Sequence, residues 1–386
     1  MTVRVLHCLG GMVLGGAETF VMNVYRNIDR GQIQFDFAVS ADRTCHYDDE
    51  IRALGGRIHH LPPPARVGAL HYRDELAEVI RRCGPFRAVH SHVHYFSGWI
   101  LATAAREGVP LRIAHLHSTS DGRRGPLRGF LYHGTMRWLM KRYGTHILGC
   151  SRSVLTGALG ERWVRDPRIS VVHNGIALQR YFALAQDRPG LCRKFSIPLA
   201  GTILGHIGAF VSVKNHSFLI QLFRCYKRRD PNAILILIGD GELKSRVYRE
   251  VEAGGLGTHV YFMGERANSD IPSLLAVMDA FVMPSLYEGV PIALVEAQAA
   301  GVPCVVSDTV TREADLNVGL VRFIKLDRGL EEWCEEITAA LKTPRPAREE
   351  RLCAIQAAGY DIEQSAKKLV SIYQNDNDYA RHNARG

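Results

Sequence analysis

Short apolar runs closed by glycine or proline alternate along this chain with longer stretches in which apolar residues recur every three or four positions. The runs Val3–Leu9, Phe35–Ser40, Ile58–Leu61 and Arg87–Ser91 predict buried strands. Between them the spacing predicts helices from Ala17 to about Ile28, near Asp48–Leu54 and over Asp74–Cys83. The pattern restarts at Thr202–Gly208, a strand, followed by a loop to Lys214 and a helix over Asn215–Arg229. Further strands are expected at Ala233–Gly239, Val260–Met263, Ala280–Met283 and Val302–Ser307, with a helical face from Ile292 to Ala300 between the last two. Strand and helix in strict alternation point to parallel α/β architecture. Pro189, Gly190 and Pro198 mark a linker over 183–199, which puts the domains at 1–185 and 186–360. A last helix, Ile362–Tyr373, carries Ala366, Leu369, Val370 and Tyr373 at helical spacing.

Length and composition narrow the class without choosing a function. At 386 residues there is room for two domains, and 46% apolar with 23% charged content is ordinary for a globular protein. There is no run of 18 apolar residues, and Met1–Leu9 is too short for a signal peptide, so the expectation is a cytosolic protein. Nine cysteines, an odd number without a C-x-x-C pair, argue for reduced core residues. The net charge of +9 is compatible with nucleic acid, anionic lipid or an anionic small molecule. Nucleic acid is set aside because no helix-turn-helix, RNA-recognition or zinc-finger pattern is present. A local basic feature is sharper: Arg123, Arg124, Arg128, Arg137, Lys141 and Arg142 interleave with Phe130, Leu131, Tyr132, Trp138, Leu139 and Met140. Such a segment reads either as an amphipathic helix on a membrane surface or as a domain helix with solvated arginines.

The most informative stretch is AFVMPSLYEGVPIALVEAQAAGVPCVVS, Ala280–Ser307: strand, loop, helix, strand. In such a unit the loop and helix N-terminus lie at the carboxyl edge of a parallel sheet, where ligands bind. Free amides at Val290, Ile292 and Ala293 would form an anion site there without a metal. Glu288 in the loop and Glu296 in the helix bracket that site, roughly 10 Å apart at about 1.5 Å of rise per residue. Taken alone, each is equally a favourable charge near a helix start or a solvated helix residue. The glycine-rich loop from Gly10 to Gly16 after the first strand lets backbone approach a phosphate or sugar, but G-x-G-x-x-G is absent. His90, His92, His94, His115 and His117 cluster at two strand ends, and a spacing of two places side chains on one face, so zinc enters consideration. Against it, spacing pairs no third type of ligand with them.

Pro284–Pro303 reads P-S-x-x-E-G-x-P-x-x-x-x-E-A-x-A-x-G-x-P and resembles the signature of retaining glycosyltransferases of family 4, with Glu288 and Glu296 as its glutamate pair. Gly15–Glu18 (GGAE), the HLHST segment with His117, and H-N-G at 173–175, with Gly175 expected at positive φ, resemble other loops of that family. Asp308–Asp327 is similar to its exopolysaccharide-type members. The resemblance implies a GT-B fold, two Rossmann-like domains facing across a cleft with a C-terminal helix over 361–386 crossing back to the first domain, and transfer of a hexose or N-acetylhexosamine with retention. The donor would be a UDP- or GDP-sugar, and the acceptor a glycan or polyprenyl-linked glycan. It also implies that Glu296 binds ribose, Glu288 the donor sugar and His117 the transferred sugar. Lys214, Gly208, Gly289, Val290, Ile292 and Ala293 would then hold the diphosphate, and Gly15 and Gly16 would face donor phosphates and acceptor. No cofactor and no metal are implied. One departure stands out, because the family's loop reads G-R-x-x-x-x-K and this chain has Ala209 in place of the arginine. Arg266 is a possible substitute. The rivals are a catalytically weak sugar-nucleotide-binding subunit and a nucleotide-sugar epimerase on the same fold.

Overall fold

The computed structural model describes residues 2–118, 126–182 and 187–375. Two compact units emerge, one of residues up to Gly175 joined by those from Ile362 onward, the other Ile176–Asp361. The division thus falls at 175/176 and not at 185/186. The reason is local: the Ile176 amide donates to Tyr360 O at 2.8 Å, and Ile176, Leu178 and Phe182 pack against Val295, Ala299 and Tyr360. Gly175 is not among the residues at positive φ, because the chain runs on directly into the Ile176–Asp361 bridge.

Among the described residues, the first unit holds seven parallel strands: β1 (Val3–Leu9), β2 (Ile33–Val39), β3 (Arg57–His60), β4 (Ala88–Ser91), β5 (Leu111–Leu116), β6 (His146–Gly149) and β7 (Ile169–Val171). Their order is β3-β2-β1-β4-β5-β6-β7. The second unit has β8 (Ile203–Ile207), β9 (Ile234–Ile238), β10 (Val260–Gly264), β11 (Ala280–Met283), β12 (Cys304–Ser307) and β13 (Val321–Ile324), ordered β10-β9-β8-β11-β12-β13. Helices link the strands and cover both faces, which is why Ile234–Ile238 is apolar at every position and buried throughout. Leu235 and Leu237 pack with Phe223 and Trp333 on one face, while Ile234, Ile236 and Ile238 pack with Leu274 and Met278 on the other. Each such side chain contributes on the order of 1.5–3 kcal/mol when fully buried.

In both sheets the strand order reverses direction once, between β1 and β4 and between β8 and β11. A crevice forms beyond the carboxyl ends of the strands at such a point. The helix expected over Asn215–Arg229 spans His216–Tyr226 and follows a 3-10 turn, Ser212–Lys214, with Asn215 left-handed at φ 55°. Every cysteine among the described residues is a free thiol. Cys353 is exposed and Cys83 partly so, a departure from the all-core expectation.

Candidate active site

In the second unit, the loops after β8 and β11 flank the reversal of strand order, and hydrogen bonds join them. Leu286 N donates to Val213 O at 2.7 Å, and Asn215 Nδ2 to Pro284 O at 3.1 Å. From one loop Lys214 Nζ donates to Glu288 Oε1 of the other at 2.5 Å, with both side chains mostly buried. Gly208 lies close beneath this pair, and a Cβ there would stand 3.2 Å from Lys214 Cδ and Cε, crowding the lysine. The loop carrying Glu288 and Gly289 is pinned from behind by Ser307 Oγ and Thr309 Oγ1, which both donate to Ser285 O.

Pro291 is the N-cap of the following helix, Ile292–Ala299, and no side chain caps it. Ile292 and Ala293 therefore form the first turn, preceded by Val290, at an end where the helix dipole favours an anion. Glu296 lies farther along, and Tyr181 Oη donates to its Oε1 at 2.6 Å. Burial raises the Glu296 carboxyl from 4.5 to about 7, opposed in smaller part by the Tyr181 bond and Arg180. Arg266 follows β10 on the same sheet edge. Its Nε donates to Met263 O at 2.8 Å and its guanidinium lies 5.8 Å from the centre of the Phe195 ring. Lys214, and not Arg266, is thus the cation brought to Glu288.

In the first unit, Gly15 caps the helix Gly16–Asn27, and the Glu18 carboxylate folds back over it. A Cβ on Gly15 would stand 2.2 Å from Glu18 Oε2, so a larger residue there would turn the Glu18 carboxylate aside. His117 is half-buried just beyond β5. Its Nδ1 meets Asn174 Oδ1 at 3.1 Å, and its Nε2 meets His92 Nδ1 at 2.9 Å. His92 Nε2 in turn meets His7 Nδ1 at 3.0 Å. Burial holds His117 down to about 4 and His7 to about 3, so these rings are neutral near pH 7. The row therefore reads one way if Asn174 accepts: each Nδ1–H donates to the next acceptor, His7 to His92 to His117 to Asn174.

Sequence reasoning missed Tyr181, His7, Asn174 and the buried pair His206 and His216 beside Lys214. No local spacing marks Tyr181 or His7. Asn174 lies within the H-N-G stretch at 173–175, where the sequence argument rests on the glycine alone. On the basic segment, Arg123 and Arg124 lie outside the described residues, as does the Arg128 side chain. Arg137 does not join a solvated basic face, because its guanidinium lies over the Tyr95 ring at 5.5 Å.

Comparison with known proteins bears on the family and the fold. Residues 15–175 match the family model described as a glycosyl transferase 4-like domain, and 190–352 match glycosyl transferases group 1. The chain is 36% identical over 370 residues to a protein named putative glycosyltransferase EpsF from Bacillus subtilis (strain 168), covering 96% of each. A further relative, 32% identical over 152 residues and 38% of each chain, is an Escherichia coli UDP-Gal:alpha-D-GlcNAc-diphosphoundecaprenol alpha-1,3-galactosyltransferase. Among solved structures, HepE of Anabaena in complex with UDP superposes at TM-score 0.75 with 18% identity, over 96% of this chain and 99% of that one. WaaG, a glycosyltransferase involved in lipopolysaccharide biosynthesis, gives 0.69 at 15% identity, over 96% and 100%. With two parallel α/β units, the glutamate motif at one strand reversal and a near full-length relative, the chain belongs to the family 4 glycosyltransferases of GT-B fold, in the company of members that build polysaccharides.

Proposed function

We propose that this glycosyltransferase moves a hexosyl or N-acetylhexosaminyl group from a UDP- or GDP-sugar to a hydroxyl of a glycan or polyprenyl-linked glycan, with retention, during exopolysaccharide or capsule assembly. The observation that carries the reading is the Lys214–Glu288 pair set beside an uncapped helix N-terminus at the second unit's strand reversal. Departure of the nucleoside diphosphate is the demanding step, and preorganised positive charge is the general means to ease it. Lys214 meets the diphosphate together with the amides near Val290, Ile292 and Ala293, and Gly208 and Gly289 let the backbone come close. Glu288 takes the sugar hydroxyls and Glu296 the ribose hydroxyls, with Tyr181 holding the Glu296 carboxylate in place. In the first unit, Gly15, Gly16 and His117 serve the transferred sugar and the acceptor. No metal takes part at the diphosphate. A lipid-linked acceptor, which is what the Escherichia coli relative's name prints for that protein, is the support for a location at the cytoplasmic membrane face.

Nucleotide release from UDP- and GDP-sugars, measured with and without acceptor glycans, tests the assignment. Acceptor-dependent release with retained anomeric configuration in the product is expected. A new sugar nucleotide would instead indicate an epimerase, and donor binding without release a binding subunit.

A further inference from the structure

The first unit gathers more imidazoles than glycosyl transfer uses. His7 lies on β1, His90 on β4, His92 just past it, His115 on β5 and His117 just past that. Three of them, His92, His115 and His117, each bring a ring nitrogen within 4.8 Å of the other two.

Each of these three rings is also held from outside by its second nitrogen. His92 Nε2 faces His7 Nδ1 at 3.0 Å, His115 Nε2 faces Val172 O at 3.3 Å, and His117 Nδ1 faces Asn174 Oδ1 at 3.1 Å. An imidazole that ligates a metal is typically oriented in this manner, with the non-ligating nitrogen engaged by a fixed partner. The nitrogens facing inward are His92 Nδ1 and His117 Nε2, which share a hydrogen bond at 2.9 Å, and His115 Nδ1, which is buried with no hydrogen-bond partner on a fully buried residue; an ion would replace the shared proton, and His92, then protonated at Nε2, would donate to His7 Nδ1, the reverse of the row described above. A buried polar atom left unpaired is uncommon and asks for a reason.

We propose that His92, His115 and His117 form a three-imidazole site for one divalent transition-metal ion of the Zn2+ or Co2+ class. The donor set is all nitrogen, which suits such ions and not the oxygen-seeking Mg2+ or Ca2+. Tetrahedral ligation at about 2.0–2.1 Å sets neighbouring nitrogens about 3.3 Å apart, so the His92 and His117 rings part by only a few tenths of an ångström. His117 is the half-buried member, which leaves one side of the ion open for water or a sugar hydroxyl as fourth ligand. His7 and Asn174 act as outer partners. The site shares His117 with the transfer reading, and the test therefore reads metal loading alone, so that either can fail without the other.

Full-length protein free of any histidine tag is dialysed against chelator and titrated with Co2+. The expected result is a tetrahedral visible spectrum saturating at one ion per chain, bleached by Zn2+, and a Zn2+-dependent rise in melting temperature that Mg2+ does not produce. His117→Ala, at a half-buried position that tolerates truncation, abolishes the spectrum, and Asn174→Ala weakens binding by about 10–100-fold. Folded wild-type protein that gives neither spectrum nor shift, or a His117→Ala variant that binds Co2+ like wild type, overturns the proposal.

Discussion

Lys214 and Glu288 sit 2.5 Å apart in a mostly buried setting, and this sets what their variants should do. Lys214→Ala should lower turnover by about 3 kcal/mol or more in the transition state, the scale of losing a preorganised donor. It should also lower stability, because the Glu288 carboxylate is left without its partner. Adding Glu288→Ala should restore much of that stability and none of the turnover, and a double-mutant cycle in both quantities checks this. Ala209 is exposed, so Ala209→Arg should fold normally and supply the second cation that the family pattern implies for that loop. If Lys214→Ala keeps its turnover while Arg266→Ala is inactive, the cation has been misassigned. Glu296 makes a pH prediction. Its folded pKa, about 7, lies above the ordinary 4.5. The protonated carboxyl therefore stabilises the folded chain in full below about pH 4.5, and that contribution is lost as pH rises through about 7. The loss is at most about 3 kcal/mol, and less because the residue is partly solvated. Glu296→Gln stays neutral and can still accept from Tyr181. Its melting temperature should accordingly overtake wild type as pH is raised from about 5 to about 8; parallel curves would show that Glu296 does not titrate there.

At the scale of elements, the helix Pro126–Tyr143 shows why pattern alone left two readings open. Met136, Leu139 and Met140 are buried among Tyr95, Leu101 and Ala114, so one face belongs to the core. Phe130, Leu131 and Trp138 are 74%, 65% and 59% exposed, and Lys141 and Arg142 are exposed with them. Apolar residues on both faces erase the periodic signal that separates a surface helix from a buried one. Each cation near an anionic leaflet adds about 1 kcal/mol of attraction. Binding to anionic vesicles should therefore fall steeply with salt and with Lys141→Gln and Arg142→Gln, and Trp138→Ala should weaken it further. Arg137→Gln should leave it unchanged, because that guanidinium lies over Tyr95. Equal binding to neutral and anionic vesicles would refute the electrostatic part. The helix at Ile292 was far easier to read, since proline, glycine and two glutamates punctuate a short and strongly apolar stretch.

At the scale of the whole molecule, the last helix completes the first unit. Ile362, Ala366, Leu369 and Tyr373 are buried, and Tyr373 Oη meets His90 Nδ1 at 2.7 Å. Tyr373→Phe should cost about 1 kcal/mol in urea unfolding, and Tyr373→Ala about 3–5 kcal/mol, with little change in slope. A negligible effect of the alanine would mean that the helix is not integral. Much of this architecture was legible in the sequence, because strand and helix periods are local properties and the glutamate motif occupies one continuous unit. The apolar runs marked β1, β8, β9, β11 and β12, and proline and glycine marked the carboxyl-edge loop, with no knowledge of what lay opposite. What only the tertiary structure decided are the meetings between distant positions. Lys214 reaches Glu288 across 74 residues, Tyr181 reaches Glu296 across 115, His7 reaches His92 across 85, and His90 reaches Tyr373 across 283. Strand order brings Lys214 to Glu288 and His7 to His92, and helix packing brings Tyr181 to Glu296 and Tyr373 to His90; both follow from how crossovers pack and not from any spacing along the chain.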